Sequence, residues 1–209
     1  MEVRFSPIDD LALSRKGITE YIEYTSKQPF NELDNALLNL FQSSVREISQ
    51  LIENITTLDY VSLHTRNIFE LYLIILQINR SDAELKRWCG QQHKDSTEVR
   101  SGFRQLLIKK GLDTSALDEV QKFENDSLKE SPYKSERNFN ISDLAKVHGY
   151  SDDYGFLYKL SSKLVHPSAL KVNNYDVLTE DDNYLTVVLQ LAVFFAQKVE
   201  KLANSVMKT

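Results

Sequence analysis

Turn-forming residues are scarce in this chain, with six glycines and four prolines among 209 residues. The usual share of these two residue types is about 12%. An all-β fold needs a tight turn every few residues, and those turns draw on glycine and proline. The sequence therefore favours long helices with few connections, and the apolar residues recur at the three- and four-residue steps of helix faces. Ser6-Pro7 followed by Asp9 and Asp10 opens a helix over about 7–26, and Pro29 ends it. Asn31 caps a second, with Leu33, Leu37, Phe41, Val45, Ile48, Ile52 and Ile55 predicted to mark its buried face. A third runs from Thr57 to Asn79, and its stretch Ile68–Leu76 is apolar nearly all round, as a central buried helix is.

Ser81-Asp82-Ala83-Glu84 is a capping box for a fourth helix, with a break expected near Asp95-Ser96 and a stop at Gly111. A shorter helix starts at Thr114-Ser115 and ends near Lys129, and the polar stretch 130–140, containing Pro132, is a loop. Two more helices follow, Ser142–His148 stopped by Gly149, and one capped by Ser151 that ends at His166-Pro167. Residues 173–180 look irregular, and an amphipathic helix covers about 181–206. The expectation is an all-α protein, one domain over residues 1–209, built as a single antiparallel bundle of seven or eight helices.

The formal charge of -5 argues against a protein devoted to wrapping nucleic acid. The charge is uneven: Arg80–Lys110 holds eight Lys/Arg against four Asp/Glu, leaving the rest at -9. Such a stretch is either one anion-facing surface or an ordinary salt-bridged helix. A single cysteine, Cys89, permits no intrachain disulfide and fits a reducing, cytoplasmic setting. Residues 1–7 lack a signal-peptide pattern, and the apolar runs 68–78 and 184–196 are too short to cross a bilayer, so no membrane association is expected.

Metal and cofactor chemistry find no support in the pattern. The four histidines form no HExxH, Cys89 and His93 alone do not make a zinc site, and no glycine-rich phosphate loop is present. The informative stretch is 141–170. Lys159 and His166 are two helical turns apart and project from one side, with Tyr158, Ser161 and Ser162 near that line. An imidazole, with an intrinsic pKa of ~6.5, exchanges protons at neutral pH, and an ammonium offsets charge on a phosphate. Together they form a minimal kit for attack of a ribose 2′-hydroxyl on its neighbouring phosphate. The competing explanation is structural: a histidine before a proline caps the last carbonyls of its helix or fills a surface notch. Arg66 and Glu70, four apart on the apolar third helix, either neutralise each other or serve a function. Leu144–Ser151 also has the outline of a DNA-binding helix-turn-helix, but Asp152 and Asp153 would face phosphates, so DNA binding of that kind is not expected.

Two motifs carry a family resemblance. Arg66-Asn67-Ile68-Phe69-Glu70 resembles the Arg-x-φ-φ-Glu of a group of bacterial helical proteins. Tyr154-x3-Tyr158-Lys159-Leu160-Ser161 with Val165-His166-Pro167-Ser168 resembles the same group's Tyr-Arg-x-Leu-Ser and His-Pro-Ser signature. That group is similar to the HEPN superfamily, and the matching motifs lie in 57–79 and 141–170. The resemblance implies a homodimer that binds RNA and cleaves it without metal or cofactor, acting as a toxin or phage-defence effector. His166 would then be the acid–base residue and Lys159 the phosphate-binding cation, with Ser161, Tyr158, Arg66 and Glu70 auxiliary. The group's arginine stands here as Lys159, a point charge rather than a bidentate fork. The alternative is a non-catalytic dimerisation module, or one that binds a protein partner encoded nearby within a defence or toxin–antitoxin complex.

Overall fold

The computed structural model describes residues 6–29, 31–134, 136–180 and 182–206. Among these residues all regular structure is helical. The reading of residues 1–7 as lacking a leader pattern falls mostly on residues 1–5, which lie outside the described set, as do Ser135 of the expected loop and Asp181 at the start of the last helix.

The helices are α1 (Pro7–Thr25), α2 (Glu32–Glu53), α3 (Leu58–Ile78), α4 (Asp82–Lys109), α5 (Ser115–Glu130), α6 (Ile141–Val147), α7 (Ser151–Val165), α8 (Ala169–Glu180) and α9 (Asp182–Val206). The chain divides into two compact units, one of Met1–Leu76 with Ile141–Thr209 and the other of Gln77–Asn140.

In the first unit α1 packs against α2 and α9. Helix α3 is the central element, with Ile68, Phe69, Leu73 and Ile75 almost wholly buried, as its all-round apolar sequence predicts. Phe69 and Tyr72 pack on Phe195 of α9 at ring-centroid distances of 4.7 and 6.0 Å, and Tyr150 closes the cluster at 5.8 Å from Phe195. The Tyr72 and Tyr150 hydroxyls share a 3.0 Å hydrogen bond. Burial first, then Tyr150, pushes the Tyr72 phenol well above its ordinary range. At the other end of α3, Leu58 packs with Leu164 of α7 and Leu178 of α8. Gly149 turns the chain between α6 and α7 at φ 79°, a backbone state that side chains disfavour.

Several sequence expectations need correction. Ser151 does not cap α7 but is its first residue, with Tyr150 at the N-cap, and Ser81 makes only the one-sided cap from Glu84 N. Helix α4 runs unbroken through Asp95-Ser96, because Ser96 turns its hydroxyl to Glu124 of α5 at 2.9 Å instead of to its own backbone. Residues 169–180 are helical with one kink at Asn174 (φ -134°). The buried face of α2 is wider than the predicted stripe, taking in Ala36, Leu40, Ser44 and Leu51 while Val45 and Ile52 are only half-buried. The reason is that α2 contacts both α1 and α9.

The second unit is a pair of helices, α4 and α5, with residues 131–134 and 136–140 laid along α4. Trp88 stacks on Phe139 at 6.1 Å, and Arg87 lies over the same ring at 4.7 Å. The chain approaches Gly90 so closely that a Cβ there would collide with the Lys134 carbonyl oxygen. Gly90→Ala is therefore expected to push the segment off α4 at a cost of about 1–3 kcal/mol. A thermal-melt comparison with wild type checks this, and an unchanged midpoint would contradict it.

Candidate functional site

Four of the eight cations in the basic stretch 80–110 enter ion pairs. Arg100 is buried and bonds Glu124, Gln121 (2.8 Å) and Ser96 (2.9 Å). Arg104 pairs with Asp118 at 2.8 Å, and Lys94 with Glu98 at 3.6 Å. The salt-bridged reading describes these residues better than an open anion surface.

Helix α7 presents a different picture. Its buried side consists of Leu157, Ser161 and Leu164. On the opposite side Lys159, Lys163 and His166 are exposed, with Ser162 half-buried among them, at the spacing of one helical stripe. Neither lysine ammonium enters an ion pair among the described residues.

His166 occupies the C-cap of α7, with extended backbone (φ -99°, ψ 156°), as a residue before proline prefers. Two of the helix-end carbonyls are capped by other residues. The Ser168 hydroxyl donates to the Lys163 carbonyl at 2.7 Å, and Lys171 Nζ donates to the Leu164 carbonyl at 2.5 Å. Lys171 also pairs with Asp59 of α3. The imidazole is thereby released from the capping role and stays exposed. Sequence reasoning missed Ser168, Lys171 and Lys163 in these positions. The serine directly after His166-Pro167 was visible, but the Asp59–Lys171 pair joins residues far apart in the chain.

The remaining predicted residues form a separate group. Arg66 Nε donates to Glu70 Oε1 at 2.6 Å, and its guanidinium lies over the Tyr158 ring at 4.8 Å. Tyr158 in turn stacks on Tyr154 at 5.3 Å. Burial, then the Tyr158 and Glu70 charges, raises the Tyr154 phenol above its ordinary value against the opposing pull of Arg66 and Ser142. Ser161 is fully buried and donates to the Tyr158 carbonyl at 3.4 Å. So Arg66, Glu70 and Tyr158 come together as a clamp between α3 and α7, Ser161 faces the core, and Lys159 and His166 face solvent.

A second network sits between α2 and α3. Glu47 Oε2 is 2.7 Å from His64 Nδ1 and 2.9 Å from Asn67 Nδ2. Burial alone would raise the Glu47 carboxyl, but the His64 and Asn67 hydrogen bonds, with the charges of His64 and Arg46, hold it below its ordinary value. A lowered folded pKa contributes stability above the ordinary value, ~4.3 for a glutamate, and that contribution is lost as pH falls through the folded value. Glu47→Gln is expected to destabilise most above that pH, with the gap to wild type narrowing on acidification. Thermal melts at stepped pH test this, and a constant gap would contradict it.

Among the described residues no cluster of three or more His, Cys, Asp or Glu is arranged to hold a metal ion. No described helix is long and apolar enough to cross a membrane. Exposed Asp152 and half-buried Asp153 stand at the start of α7, where a helix-turn-helix would meet phosphates.

Fold and site together define an all-helical protein with an exposed lysine–histidine stripe on one helix. The chain belongs to the family of unknown function DUF5677, whose model matches residues 35–184. No curated protein and no solved structure gives a significant match.

Proposed function

We propose that this chain is a HEPN-like RNA-binding protein whose α7 stripe meets the RNA backbone, and that it cleaves RNA without a metal. The observation that carries this reading is the exposed His166 imidazole, freed from capping by Ser168 and Lys171 and aligned with Lys159 and Lys163. In the proposed step His166 takes the proton of a ribose 2′-hydroxyl as the O2′–P bond forms. The P–O5′ bond breaks, and the proton passes to the departing 5′ oxygen. The products are a 2′,3′-cyclic phosphate and a 5′-hydroxyl, with no water, oxidant or cofactor consumed. Lys159 offsets the charge on the phosphoryl oxygens. The Arg66–Glu70–Tyr158 clamp positions α7 on α3 and does not touch the substrate. The setting that fits the resemblance is a cytoplasmic homodimer acting as a toxin or phage-defence effector. Induced expression tests this: growth arrest with wild type that disappears with His166→Ala supports it, and equal growth of the two strains overturns it.

One observation favours a second reading. Arg66, Glu70 and Tyr158 are engaged with one another, and Ser161 is buried, as packing residues of a non-catalytic dimerisation or partner-binding module would be. In that case the Lys159/His166 double alanine variant lowers thermal stability or breaks the dimer, and wild type neither retains nor cleaves RNA.

A further inference from the structure

The residues flanking His166 open onto a cavity. Val165 and Pro167 line a space of about 310 Å³ together with Lys171, Val172 and Tyr175. A second space of about 210 Å³ lies over Asp59, Tyr60, Leu63 and Leu164, and Val165 and Lys171 line both, so the two adjoin. The notch arises because α7 stops at Val165 and the chain runs extended through His166 before α8 begins at Ala169. Its size reaches the lower range of small-molecule sites.

Its walls are aromatic and aliphatic, and its polar groups are few. Tyr60 is held by stacking on His64 at 6.3 Å, and His64 is fixed in turn by Glu47. Tyr175 lies 6.0 Å from the Lys171 ammonium. That ammonium donates to Asp59 and to the Leu164 carbonyl, which leaves one of its three N–H groups unspent. The other Asp59 oxygen, Oδ1, is buried and out of reach of a ligand in the notch. A free ammonium donor, with tyrosine rings among the lining residues, complements a flat heteroaromatic ring that carries an acceptor on its edge.

We infer that this double cavity binds a nucleobase, namely that of a nucleotide next to the phosphate held at His166. The inference rests on the RNA reading above and adds the substrate contact that reading lacks. A base stacked on aromatic side chains gains enough to matter without sequence readout, and the Lys171 ammonium supplies an edge contact.

The test uses the full chain, with nucleoside monophosphates and ribose 5-phosphate as probes in ligand-observed NMR and calorimetry. Val172 lines the cavity yet is 69% exposed, so Val172→Trp fills the space without disturbing the core. Tyr60→Ala, also at an exposed position, removes one wall. Monophosphates are expected to bind and ribose 5-phosphate not to, and each variant is expected to weaken monophosphate binding about tenfold. Equal binding of ribose 5-phosphate, no binding of any monophosphate, or indifference to both substitutions overturns the cavity assignment. An oligoribonucleotide separates the two claims. Its retention should fall with Val172→Trp and, independently, with the Lys159/Lys163 double alanine variant. Retention that ignores the lysines while monophosphates still bind overturns the α7 reading alone, and retention that ignores Val172→Trp overturns the cavity alone.

Discussion

His166→Ala is expected to lower the rate of RNA cleavage by about 10²–10⁴-fold, the usual contribution of a positioned proton-transfer group, while leaving the melting temperature unchanged. The second half of that expectation follows from the end of α7. A histidine that capped its helix would take stability with it when removed, at about 1 kcal/mol for a typical net hydrogen bond. Here the Lys163 and Leu164 carbonyls are bound by Ser168 and Lys171, and the imidazole is exposed at the surface. Single-turnover cleavage of a structured RNA, measured beside a thermal melt, separates the two roles. Equal rates for wild type and variant would remove His166 from the chemistry, and a large fall in melting temperature would return it to a structural role.

The largest stability effect is expected from Phe195→Ala. Phe195 is fully buried and touches Phe69, Tyr72, Tyr150 and Phe194, with ring centroids 4.7–6.0 Å away. Truncating a phenylalanine in such a setting costs about 3–5 kcal/mol through lost transfer energy and the cavity left behind. In a domain of this size that corresponds to a fall of roughly 6–20 °C in Tm. Phe194 is the internal control, since it is 42% exposed one residue away, and its alanine variant should cost about 1 kcal/mol or less. If the two variants melted alike, the placement of Phe195 at the centre of the α3–α9 packing would be wrong.

Much of the helical layout could be read from the residues alone, because it depends on local chemistry. Pro7, Asn31, Ser81 and Gly149 mark boundaries through backbone preferences that hold wherever they occur, and Asn31 makes the reciprocal capping box with Asp34. Ile68–Leu76 announces a buried helix because it is apolar nearly all round, with Glu70 its one charged residue. The misreadings came from tertiary context. Asp95-Ser96 looks like a break until Glu124 accepts the serine hydroxyl from another helix. The stripe from Leu33 to Ile55 assumes one packing partner, whereas α2 contacts two helices.

The candidate site divides the same way. The i to i+4 spacing of Arg66 and Glu70 was enough to expect their ion pair, and Lys159 and His166 could be placed on one side of a helix by counting. That Tyr158 covers Arg66, or that Lys171 reaches Asp59, depends on how α7 and α8 lie against α3. Ser161 illustrates the limit: its position in the motif suggested a substrate contact, and burial turned it toward the core.

The most direct test of the account is the salt dependence of RNA binding by wild type and by the Lys159→Ala/Lys163→Ala variant. Each phosphate contact on a single strand contributes about 0.7 to the slope of log affinity against log salt. If the α7 stripe holds the RNA backbone, wild type binds with a steep negative slope, and the double variant binds more weakly with a slope shallower by about 1.4. Identical slopes in the two proteins, or no RNA binding by wild type at low salt, would contradict it.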